Sequence, residues 1–245
     1  TNNWWYNGTN PVGIGTGSSS GVTKAAGVSN FYGTGSGTGG AVYTGATPWD
    51  FAATWVSRVG NYPVLNGGAS TYTIAGLVNG LGAGISMALS LNGAAPVTTT
   101  TTDGGAFSFG SVSLNGGEYL LVYANDGSYK ANLAGVVQSA GNISGLILYD
   151  GRLAIGDADG VVGTSFTNAT FSSAYYSDSN VHYSVSGSDL NVLNGIDLWI
   201  PSAITYTPGG NVDLSGSLIN SGTLNAPANI YVIGNWTNSG TFSAG

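Results

Sequence analysis

The 245-residue chain has no cysteine, one histidine (His182), one methionine (Met87) and one glutamate (Glu118). Without cysteine there is no disulfide, no thiolate nucleophile and no thiolate metal site. Charge is nearly as scarce. Charged residues are 6 % of the chain, against about 25 % in an average soluble domain. The basic side chains are Lys24, Arg58, Lys130 and Arg152, and the net charge is −7. A nucleic-acid interface needs a basic face to neutralise phosphates, and four scattered cations do not make one. No apolar run reaches the ~18 residues of a membrane-spanning helix, and no signal peptide is visible. No membrane insertion is therefore expected. The chain opens Thr-Asn-Asn with no initiator methionine, and is expected to be a mature piece of something longer or a processed chain.

What is present points to ordered β structure. The chain is 42 % hydrophobic and 11 % aromatic, which sets it apart from disordered sequences with low hydrophobicity and high charge. Glycine (42 residues), serine, threonine and asparagine dominate the rest. A low-charge surface of this kind is usual for secreted repeat proteins, and the expected location is extracellular, at the cell surface. Asn-Gly starts at Asn7, Asn66, Asn79, Asn92, Asn115 and Asn194, and Asp-Gly at Asp103, Asp126, Asp150 and Asp159. These dipeptides tolerate the positive φ of tight hairpin turns. They punctuate short β-branched and aromatic runs, as in an all-β chain. The best helical candidate is Pro48 to Val59, for one or two turns.

Texture divides the chain into residues 1–66, 67–138 and 139–245. The first part is rich in glycine and aromatics. The second alternates clearly: Ile85, Met87, Leu89 and Leu91 point one way, Phe107 and Phe109 share a face, and Tyr119, Leu121 and Tyr123 share another. Period-2 alternation with hairpin turns suits a β-sandwich, each strand burying one face. The third part holds an internal repeat. VDLSGSLINSGTL (212–224) aligns with YVIGNWTNSGTF (231–242), pairing Gly216 with Gly234, Asn220 with Asn238 and Leu224 with Phe242. A short fixed period with small-residue turns predicts stacked coils of a β-solenoid. Such a stack buries a core only between neighbours, so an uncapped end exposes strand edges. The chain stops at Gly245 directly after a repeat, and an open end is expected there.

Three stretches carry resemblances. WWYNGTNPVGIGTG at the start and Trp49, Asp50, Phe51, Trp55, Tyr62, Pro63 and Leu65 further on resemble the segment that seals a β-helix in filamentous-haemagglutinin-like or GLUG-type repeats. TTDGGAFSF (101–109) followed by GGEYLLVY (116–123) resembles a carboxypeptidase-regulatory-like, CNA-B-like β-sandwich. The repeats after residue 190 are similar to those of large bacterial surface proteins. The resemblance implies an all-β protein with β-helix-like segments flanking an Ig-like or prealbumin-like sandwich, and a secreted surface or adhesin-type role.

Candidates for chemistry are few. Asp157-Ala-Asp159-Gly160 looks like the start of a calcium loop, but calcium takes six to eight oxygens and no glutamate follows to complete the loop. A polar hairpin turn is the simpler reading. No cofactor is expected, with calcium at Asp157 and Asp159 as the alternative. The acids are scattered rather than paired for glycoside hydrolysis. His182, in VHYSV, has no second histidine or cysteine beside it and reads as structural. No nucleophile elbow is present, and Gly13–Gly17 has no following helix to cradle phosphate. The resemblance to CNA-B-like domains, some of which form an intramolecular Lys–Asn isopeptide, makes Lys130, with Glu118 as the helper acid, a minor candidate for such a bond. The threonine run 98–102 is one strand and not the array that orders ice.

Adjacent aromatics carry more information. Trp4, Trp5 and Tyr6 are consecutive, and consecutive strand residues point to opposite faces. Some of these rings should therefore meet a partner or pack at a junction. Trp236 and Phe242 lie on the apolar row of the last repeat. These five are the candidate assembly residues. Sequons at Asn7, Asn142, Asn168 and Asn235 would matter in a glycosylating host. The expectation is a non-enzymatic extracellular structural protein, a subunit of a surface filament that assembles with itself through end-to-end β contacts. The alternatives are an adhesin fragment that binds surface glycans, and a polysaccharide-active β-helix enzyme.

Overall fold

Turn chemistry and alternation place the strands. This computed structural model describes residues 3–5, 22–24, 55–58, 61–65, 71–157 and 162–245. β1 (Asn3–Trp5) runs parallel to β2 (Val22–Lys24), and β3 (Trp55–Arg58) pairs antiparallel with β4 (Asn61–Leu65). Of the best helical candidate, 48–59, Trp55–Arg58 is a strand, and the rest lies outside the described residues. Trp55 and Val56 pair in register with Leu65 and Val64, and tryptophan and valine are enriched in strands. These strands belong to one compact unit, Thr1–Ser70, and the remainder to a second, Thr71–Gly245.

The second unit starts with β5 (Thr71–Asn79), β6 (Ser86–Leu91), β7 (Val97–Thr100), β8 (Ala106–Ser113), β9 (Tyr119–Ala124), β10 (Asn132–Val136) and β11 (Ile143–Tyr149). β5 lies between β11 and β8 in a three-stranded sheet. β7, β6, β9 and β10 follow one another, all antiparallel, in an eight-stranded sheet. Asn92 and Gly93 turn β6 back towards β7 with φ of 51° and 69°, and Ala94 N donates to Leu91 O at 2.9 Å. Positive φ at both central residues is what Asn-Gly supplies.

The two sheets share a core. Ile74, Val78, Phe107, Phe109, Leu146 and Leu148 from the smaller sheet meet Met87, Leu89, Leu120, Val122 and Leu133 from the larger. Met87, Leu89, Phe107 and Phe109 are buried as their alternation predicts. β9 departs from the one-buried-face expectation. Leu120 and Val122 enter this core, while Leu121 and Tyr123 enter a second core on the sheet's opposite face. A strand covered on both faces reads as a continuous apolar run, here YLLVYA. The expected boundary at 138/139 does not interrupt the packing, because β11 pairs with β5.

The larger sheet then continues in parallel. β12 (Arg152–Ile155) pairs with β10, and the chain proceeds through β13 (Ser165–Phe166), α1 (Asn168–Ala174) and β14 (Tyr183–Ser186). Three tiers follow, each with one strand in each of three sheets. They are β15 (Asp189–Val192), β16 (Asp197–Ile200) and β17 (Thr205–Tyr206); β18 (Val212–Leu214), β19 (Leu218–Asn220) and β20 (Thr223–Ala226); β21 (Ile230–Val232), β22 (Trp236–Asn238) and β23 (Thr241–Ala244). Every pairing between tiers is parallel. Between the second and third tiers the register is Val212↔Ile230, Leu218↔Trp236 and Leu224↔Phe242, the offset of the sequence repeat. The alternation BiB, in which outer residues are buried and the middle one is half-buried, faces Val212, Leu214, Leu218, Asn220 and Leu224 inwards. Each buried leucine contributes about 1.5–3 kcal/mol.

One row of paired residues crosses the whole eight-stranded sheet. It runs Thr98, Ala88, Tyr123, Asn132, Leu153, Leu198, Leu218 and Trp236. β7 and β22 are the two edges of that sheet.

Candidate assembly surface

The tiered stack is covered at one end. α1 packs on β9, β10 and β14. It buries Phe171 and Ala174 completely, and Phe171 meets Tyr183 and Tyr206 edge-on at 5.4 and 6.0 Å. Thr167 N donates to Thr170 Oγ1 at 3.3 Å at its start. Asn168 ties the helix to the tiers. Its Nδ2 donates to Ser188 O at 2.7 Å and Asn211 O at 3.1 Å, and its Oδ1 accepts from the Tyr206 hydroxyl. Burial pushes the Tyr183 and Tyr206 phenols above their usual pKa.

The other described end is uncovered. Two positions buried in the second tier are exposed in the third: Leu218 is 1 % exposed and its partner Trp236 44 %, while Leu224 is 0 % and its partner Phe242 40 %. The Trp236 and Phe242 rings meet edge-on, with centroids 4.8 Å apart. They border a cleft of about 340 Å³ that also involves Pro227, Ile230 and Gly245. β21, β22 and β23 each end their sheet. No residue from 214 to 245 is charged, so nothing in this tier uses the lysine device that commonly protects an edge.

Two features hold the last tier in register. Asn220, fully buried, donates through Nδ2 to Asn238 Oδ1 at 2.8 Å and to Thr241 O at 2.9 Å. Glycine occupies the corners because the tier above lies against it. A Cβ on Gly222 would strike Ile204 O and Pro201 O, and one on Gly240 would strike Gly222 O.

Trp236 and Phe242 are thus brought together. Trp4 and Trp5 fall on β1, opposite Thr23 and Lys24; their side chains, with Tyr6 and Asn7, lie outside the described residues. Asp159 lies outside them too. Asp157 is 3 % exposed, and its Oδ1 accepts from Val162 N at 3.3 Å. Among the described residues no cluster of three or more His, Asp or Glu side chains is placed to hold a metal ion. Asn235 is exposed. Asn142 is exposed and its Oδ1 accepts from Thr73 N at 2.9 Å. Asn168 is 1 % exposed and hydrogen-bonded to Ser188 O, Asn211 O and the Tyr206 hydroxyl, bonds that a glycan there would displace.

Glu118 and Lys130 lie at opposite ends of the β9–β10 hairpin. Val137 N donates to Glu118 O at one end, and Ala124 N to Ala131 O at the other. Glu118 is therefore not placed beside Lys130 as a helper acid. Glu118 instead accepts from Asn115 N at 2.8 Å, and Lys130 Nζ donates to Asn194 O at 2.9 Å. His182 precedes β14, with Nδ1 2.9 Å from Asn194 Nδ2. Burial lowers its pKa, Lys130 adds to this, and Asp150 opposes it. The sequence reading did not single out Tyr231 and Ile233, which are 54 % and 83 % exposed; the repeat offset, which pairs Tyr231 with Asp213, was the available signal. Compared with protein families, curated proteins and solved structures, the chain matches none.

Proposed function

We propose that this is a non-enzymatic, extracellular structural protein, a subunit of a surface filament that assembles with itself through end-to-end β contacts. In this reading the paired sheets of residues 71–149 are an Ig-like or prealbumin-like sandwich. The tiers from β12 onwards are β-solenoid coils, and those after residue 190 resemble the repeats of large bacterial surface proteins. The observation that carries it is the asymmetry of the stack: α1 covers one end, while the last tier presents Trp236, Phe242 and uncharged strand edges. Covering those rings is favourable by about 25 cal/mol per Å², and the open edges supply main-chain hydrogen bonds. A contact between unlike ends repeats into an open filament.

The test is negative-stain electron microscopy and sedimentation of the purified chain over a range of concentrations. Regular filaments that lengthen with concentration support the reading. Dispersed particles at every concentration overturn it. A second reading, an adhesin fragment that binds surface glycans, draws on the side of the stack. There Tyr231 pairs in register with Asp213, which pairs with Asn191, beside Leu193 and Ile233 in a groove of about 220 Å³. A ring next to a carboxylate and an amide suits sugar stacking with hydroxyl recognition. A monomeric chain that binds a saccharide array, and loses it with Tyr231→Ala, favours this second reading.

A further inference from the structure

We propose that the acceptor for the open tier is the β7 edge of a second copy of this chain, so that the eight-stranded sheet runs from one subunit into the next. This rests on the assembly reading above and names the surface that reading leaves open. β22 and β7 are the two edges of one sheet, and Trp236 and Thr98 end the same row of paired residues. Both edges therefore present the same face in the same sense. Following the pairings across the sheet, β22 runs parallel to β10 and β7 runs against it. The joint is antiparallel, the geometry already found between β6 and β7.

Both edges are open to pairing. No residue from 59 to 102 is charged, just as none is from 214 to 245. Val97, Thr98 and Thr100 are exposed, and Pro96 stands just outside the strand. An uncharged exposed edge is one that monomeric proteins usually blunt.

Asn220 turns its NH2 towards Thr241 O, a carbonyl that can only accept, so Asn238 receives through Oδ1. The threonine hydroxyls of β7 can both donate and accept on the matching face. In the register that pairs all three β22 residues within β7, Asn238 lies beside Thr98, Thr237 beside Thr99 and Trp236 beside Thr100.

The experiment compares the full chain with Thr98→Lys/Thr100→Lys and with Trp236→Lys/Asn238→Lys by sedimentation velocity. Circular dichroism and melting confirm that each is folded. Each variant alone should lose assembly by tenfold or more, ~1.4 kcal/mol at the joint. Mixed, they should form a 1:1 dimer and stop there, since each retains the end the other lacks. As a second measurement that spares both charged changes, a Thr237→Cys chain and a Thr99→Cys chain, in this cysteine-free background, should oxidise on mixing to a covalent heterodimer. Filaments that persist with Thr98→Lys/Thr100→Lys, or assembling cysteine chains that never cross-link, overturn the β7 acceptor and leave the assembly reading standing. A parent chain that stays monomeric overturns both.

Discussion

Asn220 and Asn238 form a directional pair: the buried amide of one tier donates to the amide oxygen of the next at 2.8 Å. The two occupy equivalent positions of the repeat, 18 residues apart. The bond therefore reports the stacking register in a way that leucine packing, which tolerates sliding, does not. Because the Asn220 amide also reaches Thr241 O, one side chain binds two strands of the tier below it.

Removing that side chain should loosen the last tier. Asn220→Ala removes two hydrogen bonds to exposed residues of the next tier, each worth about 0.5–1.5 kcal/mol net. Asn238→Ala should cost less, because that residue is exposed. The double variant should fall short of the sum of the singles by roughly 0.5 kcal/mol or more, as for residues in one hydrogen-bond network. Urea midpoints of the four proteins measure this, and strict additivity would mean that the pair does not act as a unit.

The corner glycines admit a sharper contrast. Gly222→Ala drives a Cβ into two backbone carbonyls, those of Ile204 and Pro201, neither of which can rotate away. Overpacking of this kind costs about 1–3 kcal/mol and sometimes more. Gly209→Ala meets nothing within 4 Å and should be nearly neutral. Equal melting temperatures for the two variants would contradict the close stacking of the tiers.

Much of this was legible in the chain, for a physical reason. The register of the last two tiers follows the 18-residue repeat because stacked tiers place equivalent residues directly over one another. Met87, Leu89, Phe107 and Phe109 are buried as alternation requires. Long-range pairing left no such signature. Nothing local in Ile143–Tyr149 points to β5, whose nearest partner is Ile74. Nor does alternation reveal that β9 serves two cores. α1 was missed because its seven residues span barely two turns, too few to establish a helical period. Of the candidate surface, the repeat located Trp236 and Phe242, but only the tier geometry shows that both are uncovered.

The two-faced β9 couples the parts of the second unit. Leu120→Ala opens a cavity in the core shared with β5, and Leu121→Ala opens one in the core under α1 and the tiers. Each should cost about 2–5 kcal/mol. Since the sheet is common to both cores, residues 71–245 should unfold in one transition in either variant, followed by circular dichroism and by tryptophan fluorescence. Two separated transitions would show that the cores fold independently.

Acid should weaken the second unit through His182. The ring is 7 % exposed, and Asn194 Nδ2 stands 2.9 Å from its Nδ1; as the donor, that amide requires an unprotonated Nδ1. Burial, with Lys130 nearby, holds its pKa below the ordinary 6.5, while Asp150 pulls the other way. The unfolded chain therefore takes up a proton at a higher pH than the folded one. Stability rises with pH wherever the unfolded state binds more protons, so this contribution is complete above about pH 6.5 and is lost progressively as the pH falls from there to the folded-state pKa. Urea unfolding measured from about pH 7.5 to 5 should show that slope. His182→Gln, which keeps a neutral polar side chain, should flatten it. Parallel pH profiles for the two proteins would remove His182 as the source.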